Sequence, residues 1–142
     1  MEWIISANPK YYDHIAAFKD LQTLDWGMKG KCEIGDIVFI YTSTPIRAIQ
    51  VAAQVVDINI GLKGRIDDAR YYLDEKGYEQ SLLKTSMTRL KLLCEFNEKA
   101  ITFDELSEHG LKGILLGPRK LRDKDNNLTE LGCYLLERLK EY

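Results

Sequence analysis

The sequence predicts an α+β domain: a small, mainly antiparallel β-barrel with flanking helices. Strand-like runs cluster in the middle of the chain, and helical spacing is confined to its ends and crossings. The regular strand–helix alternation that builds a doubly wound parallel sheet is missing. At 142 residues the chain has the size of one compact domain, so 1–142 is read as a single unit.

Taken in order, Glu2–Ala7 is short and rich in Trp and Ile, which suits a buried strand. Asn8-Pro9 punctuates it, with Asn suited to a helix N-cap and Pro to the first helical turn. Tyr11, Ile15, Phe18 and Leu21 follow at helical spacing, so a helix is expected to about Leu21. Thr23 to Gly35 carries Asp25, Gly27, Gly30 and Gly35 and reads as a loop. Gly35-Asp36 opens the clearest strand, Ile37-Val-Phe-Ile-Tyr41, bounded beyond by Ser43-Thr44-Pro45. Ala48–Ile60 is a second long strand pattern, in which the small Ala52 and Ala53 indicate close packing or a bend. A short Pro-containing turn between the two points to an antiparallel pair.

Residues 61–86 are polar and read mostly as a long insertion containing Gly61, Gly64 and Gly77, with room for a helical turn. Met87–Phe96 returns to strand alternation. Thr102-Phe-Asp-Glu105 has capping-box spacing for a short helix that Gly110 closes. Gly113–Leu116 is read as a last strand, followed by the basic loop Gly117-Pro-Arg-Lys-Leu-Arg122. Thr129 caps a terminal helix whose face is Leu131, Tyr134, Leu135 and Leu139.

Composition narrows the function classes. Hydrophobic residues at 45% and charged residues at 30% are an ordinary globular mix. A net charge of −2 excludes a basic coat over the whole surface, so any nucleic-acid contact must use a local patch. The strongly apolar run Ile37–Tyr41 is far too short to span a bilayer, and the opening residues Met-Glu-Trp-Ile-Ile-Ser have no basic n-region, so neither a membrane span nor a signal peptide is expected. Cys32, Cys94 and Cys133 are odd in number and widely spaced. No disulfide framework, metal or cofactor is therefore expected, and the cytoplasm is the expected compartment.

Enzyme motifs are missing. There is no phosphate loop, no Gly-x-Gly-x-x-Gly and no Gly-x-Ser-x-Gly elbow, and neither His14 nor His109 lies in a metal or catalytic pattern. Asp67-Asp68 reads as a solvated turn or N-cap. What remains is an aromatic and polar constellation: Trp3, Ser6, Asn8, Trp26, Tyr41, Ser43 and Thr44 fall at strand ends or in the loops after them. Trp3, flanked by isoleucines, reads as core. Trp26, among Gly and Asp, reads as a pocket residue. Period two puts Tyr41 and Ser43 on one face. If the first and central strands are neighbours, their ends converge on one pocket mouth, and an indole wall edged by hydroxyls and an amide suits an extruded nucleobase. Lys29 and Lys31 flank the Trp26 segment, and Arg119, Lys120 and Arg122 follow Pro118. These cations either hold backbone phosphates or form solvated loops whose charge Asp123 and Asp125 offset.

Trp3-Ile-Ile-Ser-Ala-Asn-Pro9, then Trp26, then Gly35-Asp-Ile-Val-Phe-Ile-Tyr-Thr-Ser43, with Ile49 and Val55-Val56, resembles the EVE family. These are PUA-like domains related to the YTH readers of methylated RNA. Gly117-Pro-Arg-Lys-Leu121 is similar to that family's late basic loop, and the 61–86 insertion departs from the pattern. The resemblance implies a non-catalytic module that accepts a modified, methylated base of DNA or RNA. Trp26 would stack on the base, Ser6 and Asn8 would hydrogen-bond to it, Tyr41 and Ser43 would line the opposite wall with Thr44 beside them, and Arg119 would meet a phosphate or the base edge. The related ASCH domains, some of which look enzymatic, show a Gly-x-Lys-x-x-Glu-x-Arg segment that this sequence lacks. The alternative is a small nucleotide- or RNA-directed hydrolase on the same barrel, with Asp36 or Glu33 as its general base. A protein-binding module is the third reading.

Overall fold

The computed structural model describes residues 1–28, 32–113, 115 and 117–142. Its elements in chain order are β1 (Glu2–Ala7), α1 (His14–Leu21), β2 (Thr23–Trp26), β3 (Ile37–Thr42), β4 (Ala48–Ile60), α2 (Glu75–Ser81), β5 (Met87–Glu95), β6 (Ile101–Thr102), α3 (Phe103–Glu108), β7 (Arg119–Lys120) and α4 (Glu130–Lys140). The main strands pair in the order β2-β5-β4-β3-β1-β7, with β6 added against β4. Every pairing is antiparallel except β1 with β3. The α+β class stands. Among the described residues no ladder joins β2 to β7, so the sheet is open where a closed barrel was expected.

Alternation along the strands divides the core between the two faces of this sheet. Trp3, Ile5, Val38, Ile40 and Leu24 pack with Phe18 of α1 on one side. Ile4, Phe39, Ile49 and Ile101 pack with Leu106 of α3 and Leu135 of α4 on the other. Both faces of the sheet are covered, which is why β1 and β3 read as nearly continuous apolar runs. The register of β4 on β5 shifts at Ala52/Ala53, where the paired alanines mark an irregularity.

Three local expectations need correction. The first helix begins at His14, not near Pro9: the Asn8 side chain accepts from the Lys10 N–H and holds a turn, and Asp13 caps the helix by accepting from Ala16 N–H at 3.1 Å. Thr23–Trp26, read as loop, is a strand on β5, with Trp26 opposite Thr88. Its four residues carry too little pattern to be legible alone; pairing with a long neighbour decides it. Arg119-Lys120, read as basic loop, is a short strand on β1, and no strand is described at Gly113 or Leu115. The Thr102 capping box and the Thr129 cap form as expected, with Thr102 Oγ1 accepting from Glu105 N–H and Thr129 Oγ1 from Gly132 N–H.

The 61–86 insertion folds onto the domain as two 3₁₀ turns and α2. Ile66 N–H donates to Asp25 at 2.7 Å, Arg89 donates to Gly64 O at 2.7 Å, and Leu73 N–H donates to Tyr11 O at 2.9 Å. Arg65 donates to Ser81 O at 2.6 Å and also to Lys84 O, which closes the segment on itself.

Candidate functional site

β1 and β3 run side by side, with Ser6 in register with Tyr41, so their carboxyl ends meet as the sequence suggested. They do not make one pocket. Two clefts open there, and Ser6 borders both.

The first cleft has a volume of about 200 Å³ and holds Ser6, Asn8, Tyr12, Trp26, Tyr72 and Lys84 among its walls. Trp26 is half-buried at the end of β2, set edge-on to Tyr12 (6.2 Å between centroids, 83°) and to His14 (6.1 Å, 87°). Tyr72, from the insertion, lies 4.5 Å from Tyr12. The insertion therefore supplies one wall of the cleft. Lys84 lies so close over Gly27 that a Cβ there would collide with its side chain. Asn8 is exposed at the rim, its carbonyl occupied by Lys10 N–H and its amide N–H₂ turned to no partner among the described residues.

A neighbouring cavity of about 190 Å³, bordered by Asp25, Arg65, Asp67, Asp68, Tyr72 and Tyr78, shares Asp25 and Tyr72 with this cleft. Asp25 is fixed by a bidentate Arg89 (2.8 and 3.0 Å) and by Ile66 N–H. Asp68 accepts from Tyr12 OH at 2.6 Å. Burial raises the Asp68 carboxyl above its ordinary range; the negative charges of Asp25 and Asp67 add to this, and the Tyr12 hydrogen bond opposes it. Burial, with the Asp68 hydrogen bond behind it, pushes the Tyr12 hydroxyl far up, so it stays a neutral donor. The first cleft thus offers a π-surface with acceptors behind it and amide and ammonium donors at its mouth.

The second cleft lies on the other side of the β1–β3 pair, with a volume of about 350 Å³; Ser6, Tyr41, Ser43, Thr44, Arg47 and Phe103 border it. Ser43 N–H donates to Ala7 O, so the residues after β3 are pinned to the end of β1. Tyr41 faces the core that holds Ile4 and Phe39, opposite the side where Trp26 packs. Tyr41, Ser43 and Thr44 are therefore separated from Trp26 by the sheet. Sequence spacing placed Tyr41 and Ser43 together correctly but could not tell which side of β1 they would share.

The basic residues are dispersed. Arg119, on β7, donates to Lys112 O and lines neither cleft. The Lys120 ammonium stands 5.7 Å from the Trp3 ring centroid. Arg122 is held by Glu2 at 2.8 Å and by Asn126 O at 2.8 Å, which engages it in tying the chain's two ends together. Lys29 and Lys31 lie outside the described residues. Trp3 is core, as read, and its indole N–H donates to Asp36 at 2.9 Å. Asp36 also accepts from Glu33 N–H and from the Met1 amino group, and lines neither cleft. Burial would raise its carboxyl; these donors outweigh burial and hold it below the usual range. Sequence reasoning missed Tyr12, Tyr72, Lys84 and Arg47. A signal was present for the first two, since tyrosine pairs stand at 11–12 and 71–72 in otherwise polar surroundings. Among the described residues no group of His, Cys, Asp and Glu is placed to hold a metal ion, and no helix is long and apolar enough to cross a membrane.

No protein-family model matches the chain, and no curated protein matches it. Solved structures do. An ASCH protein of Zymomonas mobilis superposes with a TM-score of 0.62 at 17% identity, over 99% of this chain and 94% of that one. A protein of Pseudomonas putida gives 0.64 at 16% identity, over 98% and 99%. A hypothetical protein of Leishmania major gives 0.64 at 18% identity, over 99% and 94%. At such identities the likeness is one of fold: this chain has the PUA-like fold of the ASCH proteins.

Proposed function

We propose that this chain is a non-catalytic, EVE-like reader that accepts a modified base of DNA or RNA in the Trp26 cleft, and that it works in the cytoplasm. The observation that carries the reading is the cleft itself. Trp26, Tyr12 and Tyr72 supply π-surface, Asn8 and Ser6 stand at its edge, and the volume of about 200 Å³ exceeds the ~150 Å³ that admits a benzene ring. Stacking on such a wall contributes about 1–3 kcal/mol per base and is indifferent to sequence, so the polar rim must read identity. A methyl group in an apolar slot adds about 1–3 kcal/mol, so selectivity for the modified base is modest. The runner-up is the hydrolase: of its two nominated bases, Asp36 is engaged by three donors, and neither Asp36 nor Glu33 lines either cleft.

The test is a binding screen of modified and unmodified nucleosides and short single strands, read by calorimetry, on the wild type and on Trp26→Leu. Leucine fills part of the packing position without offering a π-face. The variant is expected to stay folded and to bind at least about fivefold more weakly, the lower end of the stacking contribution. Equal affinity in wild type and variant refutes the reading.

A further inference from the structure

We propose that the second cleft, centred on Arg47, is a phosphate subsite, so that the ligand is a nucleic-acid strand wrapped around the end of β1 and not a free nucleoside. The inference rests on the base-reading role of the Trp26 cleft and extends it across the sheet. Arg47 sits in the tight turn between β3 and β4, where its backbone N–H and that of Ile46 both donate to Ser43 O. Its side chain is exposed, and its guanidinium lies 4.8 Å from the Phe103 ring centroid. Among the described residues it forms no ion pair with any carboxylate; Asp104 neighbours Phe103 in sequence but does not engage it. Four other arginines contrast with this: Arg70, Arg89, Arg122 and Arg138 each face an acid within 4 Å.

Around Arg47 stand the hydroxyls of Ser6, Tyr41, Ser43 and Thr44, none with an intramolecular hydrogen-bond partner among the described residues. Hydroxyl-bearing residues lining one cleft with a guanidinium that meets no carboxylate among the described residues match the chemistry of an anion with several acceptor oxygens. The Phe103 ring beside the guanidinium limits its freedom, and a guanidinium's planar fork suits bidentate phosphate recognition. Position supplies the link to the base. Ser6 borders both clefts, so a nucleotide whose base enters beside Trp26 carries its backbone toward Arg47 past the end of β1. This accounts for Tyr41, Ser43 and Thr44, which the sheet separates from the indole.

The experiment compares Arg47→Gln and Arg47→Lys with the wild type, using a short single-stranded oligonucleotide, the free nucleoside of its best-bound base, and inorganic phosphate. Arg47→Gln is expected to leave nucleoside affinity unchanged and to weaken the oligonucleotide about tenfold at low salt. The log–log salt slope should flatten by about 0.7, the share of one single-strand phosphate contact. Arg47→Lys should restore part of the loss. Unchanged oligonucleotide affinity and slope in Arg47→Gln overturn the proposal. If neither nucleoside nor oligonucleotide binds the wild type, the base-reading role falls, and the phosphate titration decides the subsite independently. A saturable shift of the Arg47 Nε–H and Phe103 ring resonances in the wild type, with the Phe103 shift abolished in Arg47→Gln, sustains it, and no shift ends it.

Discussion

Tyr12 OH donates to Asp68 at 2.6 Å, a bond between residues 56 positions apart that ties the approach to α1 to the insertion over the Trp26 cleft. Both groups are partly buried, and each raises the cost of leaving the other unpaired. Tyr12→Phe keeps the ring against Trp26 and Tyr72 and removes only the hydroxyl. We expect a loss of about 1–3 kcal/mol in urea unfolding, with faster amide exchange confined to 61–86. Uniform exchange rates in the two proteins would show that the bond does not hold the insertion.

His14 is buried at 1% exposure, and burial lowers its pKa to about 4, against a weaker upward pull from Asp13. Thr42 donates its hydroxyl proton to Gln50, which leaves its oxygen to accept from His14 Nε2–H and fixes the neutral tautomer. A depressed folded-state value means that the unfolded chain binds the proton first. The stabilisation is complete above the unfolded value near 6.5 and declines as pH falls toward about 4. The whole effect is about 3 kcal/mol at 1.36 kcal/mol per unit. Urea unfolding of wild type and His14→Gln between pH 7 and 4 should show the steeper decline in the wild type; parallel curves would refute it.

Asp25 is buried and bidentate to Arg89, which is itself only partly exposed. Arg89→Leu leaves the carboxylate inside with one N–H partner, from Ile66. Breaking a buried pair in this way costs about 3–5 kcal/mol. Asp25→Asn in the same background should recover part of that loss, measured as a double-mutant cycle in denaturant. A cost below about 1 kcal/mol would place the pair among surface bridges.

Asp36→Asn keeps the shape but weakens the bonds from Trp3 Nε1–H and Glu33 N–H. A loss of about 1–3 kcal/mol is expected. Its folded-state pKa is depressed, so the wild-type advantage is present above the ordinary aspartate range and fades as pH falls through it. Nucleic-acid hydrolysis by the wild type that this substitution abolishes at a temperature where the variant is still folded would favour the hydrolase reading.

Several elements were legible because their causes are local. The run Ile37–Thr42 is β-branched and aromatic between turn signals, and it is β3. Thr102 and Thr129 stand before helical patterns and cap them. Other elements depended on distant partners. Thr23–Trp26 has four residues and becomes a strand only because β5 lies beside it. Asn8 and Asp13 are both competent caps, and the turn that Asn8 makes with Lys10 delays the helix until Asp13.

The same division holds for the candidate site. The amino-acid sequence by itself determined that Ser6, Asn8, Tyr41 and Ser43 lie near strand ends, because strand alternation and turn chemistry act between close neighbours in the chain; Trp26 it placed in a loop. Only the tertiary structure decided that Trp26 and Tyr41 stand on opposite sides of the sheet, that Tyr12 and Tyr72 complete the aromatic wall, and that Arg47 meets no acid among the described residues while Arg122 meets Glu2. The physical reason is that facing and charge pairing are set by non-local packing. Strand order and the placement of an insertion choose neighbours from positions far apart in sequence, and no local preference encodes that choice.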